Sequence, residues 1–274
     1  MKSMIFVATL LLSTQTFAAD NPWDIKLPFK EAAVHYDISG NMKGNKVVYI
    51  KNYGRTSAEY TETSMTIFGM TQKQKDLNIT TPDWNYSINL LENNGSKQTN
   101  PTKYFIEEFN KLSKSEQKKV ASNAEKFGVN TLEGMQGKIE KNATEILGYR
   151  CDKTEMMGTT VYGIHGSGFP LKMESNMMGM KHSETATKID KGSVPNSKFV
   201  PPENIQYRHD QYADQMMQNY AKNVIQSLLN DQAPAPMGGM QSAPVQQEAD
   251  KPDSEQLKPE QQQQIQQLMK MFGG

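Results

Sequence analysis

Methionine has the most chemistry to offer in this sequence. Of 18 in the chain, Met156, Met157, Met173, Met177, Met178 and Met180 crowd with His182 into 27 consecutive positions. Soft thioethers beside an imidazole are the donor set that Cu(I) prefers, so Met173, Met177, Met180 and His182 form a candidate copper site. The same side chains suit a second task. A flexible, polarisable thioether adapts to irregular apolar shapes, which makes Met156, Met173 and Met177 candidates to line a ligand cavity. Strand alternation puts Met173 and Met177 on one face, with Met178 and Met180 on the other. A single site with three thioethers then needs a bulge near Gly179.

Nucleophilic chemistry finds less to work with. Gly166-Ser167-Gly168 reads as a hairpin turn and lacks the spacing of a nucleophile elbow. His35, His165, His182 and His209 are scattered along the chain. No catalytic residue is assigned, and the expectation is a protein that is not an enzyme. Cys151, the lone cysteine, sits inside a strand pattern as a small buried thiol. Being single, it excludes an intramolecular disulfide framework and a cysteine-built metal cage.

The elements that would hold these residues alternate with period two. Segments 33–38, 47–50 and 56–67 read as strands separated by Asn- and Gly-rich turns. Trp84, Tyr86 and Ile88 alternate strictly before the Asn93-Asn94-Gly95 hairpin signal, and join the cavity candidates. Strands resume over 137–141, 148–157, 159–165, 170–178 and 181–190, which adds Tyr162 to that set. Between the two groups, Phe105, Phe109 and Leu112 recur at helical spacing. Ser113 to Glu116 forms a capping box, and Gly128 is the expected stop, giving a helical insertion over about 102–127. A last helix spans 210–230. Its apolar pairs, four residues apart, wind about 40° per step around the axis, so one flat surface would cover only part of the band.

The termini carry other signals. Lys2, the apolar run Met4 to Leu12 and Thr16-Phe17-Ala18 make a secretory signal over 1–18, with the mature chain starting at Ala19. That run is shorter than the roughly 20 residues of a spanning helix, so the mature chain is expected in the periplasm or medium and not as an integral membrane protein. Lysine plus arginine balance aspartate plus glutamate at 30 each, so no global field draws nucleic acid. Hydrophobic content is 36% and mean hydropathy −0.70, which points to part of the chain being disordered. Segment 232–258 has the composition of a disordered linker, and 259–274 is a short amphipathic tail with Ile265, Leu268, Met269 and Phe272 at helical spacing.

The phrases Ile146-Leu147-Gly148-Tyr149-Arg150-Cys151-Asp152-Lys153, Val161-Tyr162-Gly163 and Pro170-Leu171-Lys172 resemble bacterial envelope proteins of the DUF4412 type. Val194 to Pro202 is similar to the close of that domain, and Asp37-Ile38-Ser39-Gly40 with Tyr49 to Arg55 to its opening. Such proteins are related in shape to periplasmic lipoprotein carriers of the LolA/LolB type. The resemblance implies a LolA-like fold over 19–207, and the apolar band leads to the expectation that the helix of 208–231 packs on it. That is a mainly β, α+β domain: a curved antiparallel sheet or half-open barrel, closed on one side by helices. It also implies an apolar ligand, a lipid or lipoprotein acyl chain, in the concave face. An envelope protein partner, copper binding, and an assembly role for the C-terminal helix and tail are the other readings.

Overall fold

The computed structural model describes residues 21–24, 26–67, 70–177 and 179–235. The expected tail, 259–274, and the expected linker from 236 onward lie outside them, as does the signal segment 1–18. The described part is α+β and mainly β: one twelve-stranded sheet that does not close into a barrel, with three helices.

The sheet grows from hairpins. β1 (Ala32–Gly40), β2 (Met42–Lys51), β3 (Thr56–Ile67), β4 (Met70–Thr80), β5 (Trp84–Asn89) and β6 (Asn94–Thr99) pair with their neighbours in turn. β7 (Lys138–Ile146), β8 (Tyr149–Met156), β9 (Thr159–Ile164), β10 (Pro170–Met177) and β11 (Met180–Lys191) form a second meander. β11 joins β1, and the order is β12-β6-β5-β4-β3-β2-β1-β11-β10-β9-β8-β7. All pairs are antiparallel except β12 (Tyr207–Arg208), which lies parallel to β6.

Two of these strands carry little sequence signal. β4 begins Met70-Thr71-Gln72-Lys73-Gln74-Lys75, polar in its outer half after the first residue. Only Leu77 and Ile79 are buried, opposite Tyr60 and Ala58. β12 is two residues long and depends on its partner for definition. The edge strand β7 is blunted by a register break between Glu140 and Thr144, where the Asn142 amide donates to the Asp152 carboxylate.

The sheet has a core on each face. Ala32, Val34, Tyr36, Val48 and Ile50 pack with Phe29, Cys151, Ile164, Leu171 and Ala186. Tyr49 alternates with Val48 and Ile50 and therefore points the other way. It packs beside Ala58, Leu77, Ile79 and Ile88, under Phe199, Ile205 and Tyr207. Strand β2 is thus covered on both sides near its end, which explains the run Val47-Val48-Tyr49-Ile50.

The helices make a third core. α1 (Pro101–Asn110) starts at Asn100, whose side chain accepts from the Thr102 amide. α2 (Lys114–Gly134) starts at the Ser113–Glu116 capping box. It passes straight through Gly128, contrary to the expected stop, and ends where Gln136 turns to φ 57° and the Gly137 amide reaches the Leu132 carbonyl. A Cβ on Gly137 would lie 2.9 Å from the Leu132 carbonyl oxygen as well as against its side chain, so glycine is favoured here, whereas the glycine at 128 is merely tolerated. α3 (Gln211–Leu229) is capped by Asp210. It buries Ala221, Val224, Ile225 and Leu228 against Phe109 and Val120, so its apolar face meets the inserted helices, while Asp214 in its first turn accepts from the Thr99 amide and hydroxyl at the end of β6. The winding band is buried only in its second half, and Tyr212 near its start is exposed. No helix among the described residues is long and apolar enough to cross a membrane.

Candidate functional site

Directly opposed residues of neighbouring strands share a face, as do residues two apart along one strand. Those two rules place the methionines. Met177 faces Met180 across the hairpin of β10 and β11. Ser175 faces His182 on one side and Thr159 on the other, and Thr159 faces Met156. Met173 faces Glu184, which faces Ile38, which faces Gly44, which faces Thr63. Two residues outward on β2 and β3, Met42 faces Met65, which faces Gln72, with Met70 two residues further on. Met42, Met65, Met70, Met156, Met173, Met177 and Met180 therefore occupy one face at one end of the sheet.

The arrangement corrects the expectation for Met180. With a turn at Gly179, strand alternation restarts, so Met180 returns to the face of Met173 and Met177. No bulge is needed. Met178 lies outside the described residues. The neighbouring hairpin tip is tied in by the Asn176 amide donating to the Gly158 carbonyl, and a Cβ on Gly158 would touch the Met177 side chain at 3.9 Å. Met70, Met157, Met177 and Met180 are 67, 68, 49 and 61% exposed, a large apolar surface left open at the hairpin ends.

Toward the middle of the sheet the same face turns ionic. The Lys46 ammonium bonds Glu184 and lies 3.9 Å from Glu59, with Lys46 and Glu184 side chains only 12 and 17% exposed. The ammonium also sits 4.7 Å above the Tyr36 ring, and the Tyr36 hydroxyl donates to the Pro170 carbonyl at 2.7 Å. Burial pushes the Glu184 carboxyl up, but Lys46 and the hydrogen bond from His182 outweigh it and hold the group below the usual carboxylate range. Tyr36 moves the opposite way, well above the usual phenol range, through burial and the nearby Glu59 and Glu184 charges. His182 Nε2 lies 3.0 Å from Glu184 Oε1. An ionised carboxylate only accepts, so Nε2 is the donor in this pair and Nδ1 is the nitrogen left outside it.

The seven cavity candidates do not come together. Met156, Met173 and Met177 lie on the methionine face. Ile88, Tyr86 and Trp84 lie on the opposite one: Ile88 is packed in its core, Tyr86 stands edge-on to Tyr207, and Trp84 lies under Lys97 at 3.7 Å. Tyr162 faces Lys172, one residue out of step with Met173, and so points away from it. Alternation was legible in β5, but which face the C-terminal segment would cover was not. A shallow cleft of about 410 Å³ beside Phe29, Lys191 and Gly192 is at the far end of β11 from the methionines.

Several other polar groups pair locally, although the Asn85 Oδ1 and the Tyr149 hydroxyl are buried without a hydrogen-bond partner among the described residues. His165 Nδ1 sits 2.8 and 2.9 Å from the Asp152 oxygens, but the buried Ser167 hydroxyl donates to the Ile164 carbonyl rather than to that imidazole. Cys151 is fully buried, and burial pushes its thiol up. Among the described residues, no three His, Cys, Asp or Glu side chains converge as a metal site.

No protein-family model matches the chain, and no curated protein matches it. Among solved structures, the chain is similar to an uncharacterized conserved protein from Thermus thermophilus. The two are 8% identical, with a TM-score of 0.39, over 67% of this chain and 92% of that one.

Proposed function

We propose that this is a non-enzymatic protein, exported by residues 1–18, that binds an apolar chain on its methionine face, the acyl group of a lipid or lipoprotein. The observation that carries the reading is the alignment of seven methionines from six strands on one face at one end of the sheet. Exposed apolar surface of this kind marks binding sites on monomeric proteins, and thioethers fit a chain with no fixed shape. The Lys46–Glu184 pair closes the inner end of the track with charge, which suits an amphiphile with an apolar tail outward. The resemblance to DUF4412-type proteins, and through them to LolA/LolB-type carriers, supports the same ligand class. Native mass spectrometry of the chain purified from its own envelope tests both halves of the proposal. The expected mass begins at Ala19 and carries a lipid-sized excess. A chain retaining residues 1–18, or one that neither carries lipid nor takes up added oleate, contradicts it.

A further inference from the structure

His182 has methionines as its same-face neighbours on one flank. Its same-face neighbours along β11 are Met180 and Glu184. Across to β10 it faces Ser175, whose own same-face neighbours are Met173 and Met177. Across to β1 it faces Gly40, which offers no side chain and could accept none: a Cβ there would lie 2.2 Å from the Lys181 carbonyl oxygen, at a φ of 112°. The imidazole therefore has methionine positions on one flank and no side chain directly opposite on the other. Opposed Cβ atoms in such a ladder are about 4.5–5.5 Å apart and diagonal ones about 7–8 Å. Side chains with three rotatable bonds can close those gaps onto one point beside the ring.

A second observation points to a ligand. Metal-binding histidines donate their remote N–H to a carboxylate, which fixes the tautomer and turns the other nitrogen toward the ion. His182 has that partner in Glu184, at 3.0 Å, and Glu184 is itself anchored by Lys46.

We propose that this hairpin binds one Cu(I) ion, with Nδ1 of His182 and the Sγ atoms of Met173, Met177 and Met180 as donors. Three soft thioethers and one imidazole favour Cu(I) over the harder divalent ions, which take carboxylate, carbonyl and water ligands. The step is simple ligation by neutral donors, with no electron or proton transferred. It does not depend on acyl-chain binding.

Anaerobic titration of the full mature chain with Cu(I), against a chromophoric Cu(I) chelator, tests the site. One ion per chain is expected, with sulfur and a single nitrogen shell in X-ray absorption. Met177→Leu with Met180→Leu exchanges two exposed thioethers for hydrocarbon of similar size. It should weaken Cu(I) by more than the roughly 100-fold that losing an outer hydrogen-bond partner costs a metal site. His182→Asn should remove the nitrogen shell and weaken binding comparably. Failure of the native chain to compete with the chelator, or an affinity unchanged in either variant, overturns the proposal.

Discussion

Lys46→Met is expected to destabilise the protein by about 3–5 kcal/mol at pH 7, the cost of leaving a buried carboxylate without its cation. Lys46 and Glu184 are both mostly buried, and Glu59 adds a second negative charge at the edge of the cluster. The methylene stem of lysine is replaced by a side chain of similar shape, so the loss is chiefly electrostatic. The pH dependence fixes the sign. The folded protein holds the Glu184 carboxyl below its ordinary range. Its contribution is therefore complete above the unfolded value of about 4.3 and fades as pH falls through the lower folded value. Urea melts of native and variant chains should differ most at neutral pH and converge in acid. A double variant, Lys46→Met with Glu184→Leu, should recover much of the loss, because no unpaired charge then remains. A gap that stays constant from pH 7 to pH 3 would show that the pair is not what the substitution removes.

Ile225→Ala and Leu228→Ala should each cost about 2–5 kcal/mol, a large share of the roughly 5–15 kcal/mol that a folded chain possesses. Both side chains are fully buried, 1 and 2% exposed, against Phe109 and Val120. α1, α2 and α3 share this one core with Trp23, whose ring stacks on Phe105 at 5.1 Å. The damage should therefore appear first as lost helical circular dichroism, with the sheet signal following at higher denaturant. Met217→Ala on the half-exposed part of the same helix should change stability by well under the core values. Equal losses at the two kinds of position would mean that the first half of α3 is covered as well.

The helix illustrates what the sequence could and could not disclose. Its span was legible because the apolar pairs run from Tyr212 to Leu229. Its partner was not, since periodicity records a buried face and not the surface that buries it. The Ser113–Glu116 box was equally plain, because a cap is a local hydrogen-bond pattern. The far end of α2 was missed, as Gly128 looks like a stop until the tighter demand at Gly137 is seen in three dimensions. β4 escaped for a related reason: beyond both cores its arm carries a single apolar residue, Met70, and so nothing to alternate with. The site was half visible. Methionine excess and His182 marked the region, and alternation joined Met173 to Met177. Met180 required the turn at Gly179, and Met42, Met65 and Met70 required the strand order that sets β1 beside β11. Trp84, Tyr86 and Ile88 were read correctly as one face of a strand, but that face belongs to a core packed beneath residues 199–207.

The central claim is that one face of the sheet, marked by its methionines, binds an acyl chain. Methyl-labelled methionine resonances, followed by NMR as oleate is added to the mature chain, address it residue by residue. Met42, Met65, Met70, Met156, Met173, Met177 and Met180 should shift together and saturate at one equivalent. Met216 and Met217, on α3, should stay in place. Shifts confined to α3, or no saturable change in the seven, would contradict the account.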